Sequence, residues 1–207
     1  GIRHVERSRG LGDVYKRQML SVMKTDTIVG WYSAAYSIIH GFSLISSSIL
    51  ATLFPLLSRQ YNENKKDLFK NVFFKTMLTL IIIASAIIIL AMLWGNSIIK
   101  FIYGIQYFNS IQIFIILCWA NLFIFLNNLT GVTINAINKQ KVNLAIVICG
   151  AAINISLNLL LIPKYGAIGA AVATVFTEFV VFLTGFFFVS KLISKDSEKL
   201  TFETQRR

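Results

Sequence analysis

A group of polar side chains recurs along the first long apolar segment of the chain. Tyr32, Tyr36, His40, Ser43 and Ser47 follow one another at spacings of four, four, three and four residues. A helix places them within about 80° of one another. Imidazole titrates near neutral pH, and hydroxyl groups both donate and accept hydrogen bonds. The stripe predicts either the wall of a polar path or hydrogen bonds between helices. The substrate-path candidates are Tyr36, His40, Ser43 and Ser47.

Asparagines recur at helical spacing in two later segments. Asn121 and Asn128 are seven residues apart, and Asn154 and Asn158 are four apart. Amides inside a membrane mainly join helices, at about 1 kcal/mol each, and the same groups could bind sugar hydroxyls. We favour the structural interpretation and keep Asn128, Asn154 and Asn158 as further substrate-path candidates.

Glu178 is an acidic residue in a long apolar segment. Its predicted helical face also carries Ala167, Ala171, Thr174 and Gly185, which are small enough to let another helix approach closely. Since a carboxylate cannot face lipid cheaply, the position predicts either a protonatable or cation-binding site that couples transport, or a hydrogen-bonded packing residue. Glu178 is therefore the coupling candidate.

Motifs typical of enzymes and metal sites are missing from the sequence. It contains no HExxH, no CxxC and no glycine-rich phosphate loop. Cys118 and Cys149 lie in apolar segments, and His4 and His40 form no ligand cluster. We therefore expect no enzyme, no catalytic residue, no metal and no cofactor.

Long runs without charged residues define the elements that carry these side chains. Asp, Glu, Lys and Arg are absent from four runs: Thr27–Ser58, Thr76–Ile99, Phe101–Asn138 and Val142–Pro163. Glu178 is the only charge in a fifth run, 165–190. Each run reaches the roughly 20 residues that a helix needs to cross the hydrocarbon core. The sequence predicts an all-α integral membrane protein whose five complete transmembrane helices lie near 30–58, 69–95, 108–137, 140–162 and 166–193.

The composition agrees with a membrane protein that has basic loops. Hydrophobic residues make up 56% of the 207 residues and charged residues 14%, with a net charge of +11. A soluble domain carries about 25% charged residues. A chain this apolar has too little soluble surface on which its positive charge could bind nucleic acid, which disfavours a nucleic-acid-binding protein.

The basic residues alternate between the two sides of the predicted spans. Twelve lie in the 59–75 loop, the 138–141 turn and the C-terminal segment, against three on the other side, Lys24, Lys100 and Lys164. The positive-inside rule then predicts that the 59–75 loop and the C-terminus are cytoplasmic. The expected location is the plasma or inner cell membrane.

The first eighteen residues differ from all that follow. They hold five basic and two acidic residues and no apolar run, which excludes a signal peptide. We expect 1–18 to be a non-native leader, 19–195 to be a transmembrane lobe and 196–207 to be a cytoplasmic tail. Met19–Met23 would then be the last turn of a truncated sixth helix, and the chain a C-terminal fragment.

Five segments resemble the C-terminal half of polysaccharide flippases, of the O-antigen or exopolysaccharide branch of the MOP/MATE-like exporter superfamily. The segments are IVGWYSAAYSI (28–38), ATLFPLLSRQ (51–60), FIYGIQYFNS (101–110), INAINKQK (134–141) and NISLNLLLIPKYGAIGAAVATVFTE (154–178). They appear in family order, and the resemblance covers about residues 19–195.

The resemblance implies a fold of two six-helix lobes around a central cavity, of which this chain is the C-terminal lobe. The implied function is flipping of a polyprenyl-pyrophosphate-linked oligosaccharide by alternating access. The implied partners are this lipid-linked glycan, the lipid bilayer and the missing N-terminal lobe. The alternatives are a cation-coupled multidrug antiporter of the same fold and a membrane scaffold subunit without transport.

Overall fold

The computed structural model describes residues 18–204, with side chains described up to residue 193. Four long helices make up most of this part: α1 (Asp26–Asn62), α2 (Lys66–Tyr103), α3 (Ser110–Ala136) and α4 (Gln140–Thr204). A short 3₁₀ turn, Ile105–Tyr107, lies between α2 and α3, and 18–23 are also helical. The described residues contain no β-strand.

The four helices are long and apolar enough to cross a membrane. They extend beyond the predicted spans, because α1 includes Arg59 and α2 includes Lys66 and Lys100. Charged residues end the apolar run without ending the helix. The expected leader lies outside the described residues, apart from its last position.

The helices end at residues that leave helical backbone geometry. Gly104, directly after α2, has φ +87°, a conformation that glycine adopts without a Cβ clash. Asn64 and Asn138 lie in the other two connections with φ of +58° and +60°, and asparagine tolerates this left-handed region better than most residues. These positions fall between the predicted spans.

Gly166 breaks α4 into two arms. Its backbone angles are φ +57° and ψ −133°, and Pro163 precedes it. The arms run back along each other, since Asn154 on the first arm contacts Thr177 on the second. A Cβ on Gly169 would lie 2.5 Å from the Leu161 carbonyl oxygen. Glycine at this position therefore permits the close return.

α3 forms the centre of the bundle and contacts α1, α2 and α4. It is also the most buried of the four apolar helices. Its apolar core includes Phe114, Leu117, Phe125 and Leu129, each at most 1% exposed. The outer helices thus pack around α3 and expose their remaining faces.

Candidate functional site

The predicted stripe on α1 runs from the core to the surface. Tyr32 is fully buried, Tyr36, Ser43 and Ser47 are half-buried, and His40 is exposed. The rings of Tyr32 and Tyr36 stack with centroids 5.9 Å apart. The outward part of the stripe is therefore centred on His40.

The hydroxyl groups of α1 donate to the helix's own backbone. The Ser43 Oγ lies 2.7 Å from the His40 carbonyl oxygen, and the Ser47 Oγ lies 3.0 Å from the Ser43 carbonyl oxygen. Ser37 and Ser48 bond the carbonyl four residues earlier in the same way. Such bonds satisfy the hydroxyl proton in an apolar setting and leave the oxygen lone pairs as acceptors.

The exposed face of α1 is more polar than the exposed face of α2. It presents an imidazole, hydroxyl groups and small residues (Ser37, His40, Gly41, Ser48, Ala51 and Thr52) together with Leu44 and Ile45. On α2 the corresponding surface is mainly apolar, with Leu78, Ile82, Ile89, Leu90 and Leu93 all more than half exposed. Lipid suits the second surface better than the first, because polar groups in hydrocarbon are costly.

Glu178 contacts an amide of α3. Asn127 Nδ2 donates to the Glu178 carboxylate oxygen Oε2 at 2.6 Å and to the Glu178 backbone carbonyl at 3.0 Å. The Glu178 side chain is half-buried, while Asn127 Oδ1 is buried without a hydrogen-bond partner. The acid and the amide thus join α3 to the second arm of α4.

The small residues on the predicted face of Glu178 are buried, and one of them lies against α3. Ala167, Ala171 and Thr174 are buried. A Cβ on Gly185 would lie 2.9 Å from Thr130 Oγ1 on α3. The absence of a side chain at Gly185 therefore allows the approach that places Asn127 beside Glu178.

The other predicted amides lie between helices. Asn128 Nδ2 donates to Ser46 Oγ on α1 at 2.9 Å. Asn154 Nδ2 donates to Thr177 Oγ1 at 3.1 Å, and Asn158 Nδ2 donates to Asn154 Oδ1 at 2.9 Å. The Asn128 and Asn154 contacts join neighbouring helices, whereas the bond from Asn158 to Asn154 lies within the first arm of α4.

Three partners were not among the candidates from sequence: Asn127, Ser46 and Thr177. Each is a polar residue in an apolar run, and two of them neighbour a candidate, since Asn127 precedes Asn128 and Thr177 precedes Glu178. A polar side chain in an apolar run was the sequence signal that could have identified these three residues. Spacing along one helix could not show which residue of another helix it faces.

The two ends of the bundle differ in charge. At one end, Lys24 Nζ donates to the Pro163 carbonyl at 2.9 Å, which brings the start of α1 to the break in α4. At the other end, Leu57, Phe69 and Ile137 form an apolar cluster with Leu192. The basic residues of the 59–75 and 138–141 connections therefore share an end with Lys191.

A compact ion cluster closes the connection between α1 and α2. The Glu63 carboxylate lies 2.7 Å from Lys65 Nζ and 2.6 Å from Arg59 Nε. The hydrogen bond from Lys65, followed by the one from Arg59, lowers the pKa of Glu63 to about 2. The contact with Glu63 also raises the pKa of Arg59. Glu63 thus offsets two of the cations at this end.

The described side chains offer no obvious metal centre. Within the described part of the chain, no three His, Cys, Asp or Glu residues lie together in a way that could hold a metal ion. Cys118 and Cys149 are both free thiols, one buried and one exposed.

Comparison with known proteins gives one family match and several relatives. A family model described as MatE matches residues 19–160. An uncharacterized membrane protein of Methanocaldococcus jannaschii is 27% identical over 168 residues, which are 81% of this chain and 33% of that protein. The capsular polysaccharide biosynthesis protein CapF of Staphylococcus aureus is 30% identical over 158 residues, 76% of this chain and 40% of CapF.

A third relative is named as a flippase. The probable low-salt glycan biosynthesis flippase Agl15 of Haloferax volcanii is 21% identical over 156 residues, 75% of this chain and 33% of that protein. No solved structure was found to match the chain. The matched region thus spans between a third and two fifths of the length of these curated relatives.

Proposed function

The chain belongs to the MatE family, and we propose on that premise that it is part of a multi-pass membrane transporter that flips a lipid-linked oligosaccharide during surface polysaccharide biosynthesis. The names of two relatives, a capsular polysaccharide biosynthesis protein and a glycan biosynthesis flippase, support this process. The long apolar helices supply the membrane setting.

The exposed polar face of α1 is the observation that carries the proposal. His40 lies on this face among serines, small residues and Leu44, and contact of its imidazole and of the hydroxyl groups with lipid would be costly. Protein or water must therefore cover it in the membrane. In our proposal it lines the substrate path, where Tyr36, His40, Ser43 and Ser47 bind sugar hydroxyls or the lipid pyrophosphate. Alternating access then needs no covalent chemistry.

We place the chain as the C-terminal lobe of a longer protein. The lobe would comprise residues 19–195 and the tail 196–207. Five helices would cross the membrane, because the break at Gly166 divides α4 into two antiparallel arms, and 18–23 would end a sixth. Each arm reaches the length of a span. The missing N-terminal lobe would complete the cavity, and the basic end of the bundle would face the cytoplasm.

The substrate we propose is an oligosaccharide on polyprenyl pyrophosphate. The described apolar spans hold no Lys or Arg at mid-depth, so His40 is the candidate contact to the pyrophosphate in this lobe. The main contacts to the pyrophosphate would then come from the other lobe. Asn128, Asn154 and Asn158 are assigned to packing, since each amide is bonded to another side chain.

A second candidate function rests on the contact between Glu178 and Asn127. A carboxyl group at a helix contact inside a membrane is suited to binding a proton or cation during transport. The alternative is therefore a cation-coupled drug antiporter of the same fold, with Glu178 as the coupling acid. The same acid could also couple flipping to an ion gradient.

Complementation separates these functions. The full-length gene should restore surface polysaccharide in a strain that lacks its own exporter, and its deletion should leave drug sensitivity unchanged. If the deletion strain loses drug resistance but still exports normal amounts of surface polysaccharide, the antiporter function is favoured. Glu178→Gln should reduce export if the acid couples transport, whereas Thr184→Ala, an exposed hydroxyl on the same arm, should export normally.

A further inference from the structure

The last turn of α2 and the connection to α3 expose apolar side chains. In this segment, residues 101–109, Phe101 is 93% exposed, Ile105 is 76% exposed and Phe108 is 60% exposed. Four of the six exposed residues in the 101–109 segment are apolar. None of them belongs to the proposed substrate path on α1.

The other two connections between the long helices have a different surface. Between α1 and α2 the exposed residues 62–65 are Asn, Glu, Asn and Lys. Between α3 and α4 the exposed residues 138–140 are Asn, Lys and Gln. Such polar surfaces suit water, whereas a cluster of exposed apolar side chains marks a surface that contacts another molecule or a membrane.

Two tyrosines fix the direction in which the apolar side chains of the segment point. The rings of Tyr103 and Tyr107 pack with centroids 5.4 Å apart, and both lie against the apolar core of the bundle. Gly104, between them, has φ +87° and turns the chain out of α2. With the tyrosines on the inner side, Ile105 and Phe108 are held on the outer side.

The exposed side chains continue the surface of α2 that suits lipid. Leu90, Trp94 and Phe101 are four and seven residues apart, so they lie within about 40° of one another around the helix axis. Leu90 and Trp94 are each more than half exposed. The apolar stripe, interrupted by the exposed Ser97, therefore reaches from the middle of α2 into the 101–109 segment.

The length of α2 places the segment at the level of the lipid headgroups. Lys75 and Lys100 are exposed and lie on either side of the apolar part of the helix. At the helical rise their Cα atoms are about 38 Å apart, whereas the hydrocarbon core is about 30 Å thick and the bilayer with its headgroups about 40–45 Å. Phe101 directly follows Lys100, and aromatic side chains are enriched at this depth.

We propose that the 101–109 segment lies in the bilayer interface, in the leaflet opposite the basic end of the bundle. Phe101, Ile105 and Phe108 enter the boundary between headgroups and acyl chains, and the Lys100 ammonium group stays at the level of the phosphates. This inference depends on the chain being embedded in a membrane and not on the identity of the transported molecule.

Tryptophan fluorescence of the full-length protein in phosphatidylcholine vesicles tests this insertion. The native tryptophans are replaced by phenylalanine, and one tryptophan is introduced as Phe101→Trp or Phe108→Trp. Gln140→Trp is the matched control, because Gln140 is exposed and uncharged but lies in a connection whose exposed residues are polar. Leu90→Trp, on the lipid-facing stripe, reports whether the protein is embedded. Circular dichroism checks that each variant is folded.

Two kinds of quencher report the surroundings of each tryptophan. Phosphatidylcholine brominated near the headgroup end of its acyl chains should quench Phe101→Trp and Phe108→Trp at least about twofold more strongly than Gln140→Trp. Acrylamide in the water should quench them in the reverse order. Adding Ile105→Ser to the Phe101→Trp protein should lower quenching by the lipid and raise quenching by acrylamide, because the insertion loses apolar surface.

Three results would overturn the proposal. Acrylamide quenching as strong at Phe101→Trp and Phe108→Trp as at Gln140→Trp would place the segment in water. Weak quenching by both acrylamide and brominated lipid would show that another part of the full-length protein covers it. If brominated lipid also fails to quench Leu90→Trp, the protein is not embedded, and the membrane setting of the proposed function fails as well.

Discussion

The Glu178 carboxylate shows what a single residue can and cannot reveal from sequence. A charge in an apolar run predicts a buried or functional acid, and the small residues on its face predict a close helix contact. The structure supplies that contact through Asn127, which donates to the carboxylate from 51 positions earlier in the chain. Several amides of α3 could have donated to this carboxylate. The orientation of α3 about its own axis places Asn127, and not another amide, beside Glu178.

The contact between Asn127 and Glu178 should contribute measurably to stability. Asn127→Ala removes the donor from a half-buried carboxylate, and we expect a loss of about 1–2 kcal/mol in the free energy of unfolding. Unfolding by dodecyl sulfate in mixed micelles measures this change.

Glu178→Gln is the matched control for that experiment. Its side-chain carbonyl still accepts the Asn127 hydrogen bond, so the free energy of unfolding should stay within about 0.5 kcal/mol of wild type. If Asn127→Ala is as stable as the wild-type protein, the two side chains do not stabilise the helix contact.

The Glu63 cluster gives a prediction about pH. The folded protein lowers the pKa of Glu63 to about 2, below its ordinary value, so the ionised carboxylate is stabilised by folding. That stabilisation is present above the ordinary pKa and is lost as the pH falls through about 2. Carboxyl NMR of the protein in micelles should therefore show Glu63 still ionised at pH 3.

The variant Arg59→Gln/Lys65→Gln removes both cations from Glu63. The midpoint of the Glu63 titration should then rise toward the ordinary value of about 4.3. A midpoint that is the same in the variant and the wild type would show that the two cations do not set it.

At the scale of elements, the ends of the apolar runs predict turns better than they predict helix ends. Asn64, Gly104 and Asn138 lie between the predicted spans, and Gly166 lies at the start of the last one. The helices nevertheless continue into charged residues, as α1 does at Arg59. Charge excludes a residue from the bilayer core, but backbone hydrogen bonding continues in water.

The approach of α4 to α3 depends on Gly185. A Cβ at this position would meet Thr130 Oγ1 at 2.9 Å and Thr130 Cβ at 3.2 Å. Gly185→Ala should therefore destabilise the protein by about 1–2 kcal/mol through overpacking. Thr130→Ala in the same chain should recover part of the loss, because the shorter side chain relieves the nearest contact.

Gly95→Ala is the control for Gly185→Ala in the same unfolding assay. Gly95 is also helical, but a Cβ there would lie 3.5 Å from Phe114, at ordinary contact distance. Stability should be unchanged or raised by up to about 1 kcal/mol. Equal effects of the two substitutions would argue against a tight contact at Gly185.

For the whole molecule, the distribution of basic residues is the feature that the sequence predicts most directly. The structure brings Lys24 to the break in α4 and brings the α1–α2 connection to the other end with Leu192. The sequence could not reveal how the two arms of α4 pair or that α3 lies at the centre. Both depend on side-chain fit between helices.

Cysteine labelling tests the proposed orientation. In the full-length protein, with Cys118 and Cys149 replaced by alanine, Lys100→Cys and Lys164→Cys should react with a membrane-impermeant maleimide in intact cells. Lys139→Cys should react only after the cells are permeabilised, since we place the basic end in the cytoplasm. Labelling of Lys139→Cys in intact cells would reverse the orientation.

The central claim is that the protein moves a lipid-linked oligosaccharide across a bilayer and that the exposed face of α1 lines its path. The most direct measurement uses vesicles containing the full-length protein and a polyprenyl-pyrophosphate oligosaccharide, with added glycosidase reporting how much glycan reaches the outer leaflet. The wild-type protein should raise the rate at which glycan reaches the outer leaflet above that of protein-free vesicles.

His40→Ala should lower this rate about tenfold, as for the loss of one charge-assisted hydrogen bond. Ser156→Ala, which removes an exposed hydroxyl on α4, should leave the rate unchanged. Equal rates with and without protein would contradict transport, and a wild-type rate in His40→Ala would contradict the path along α1.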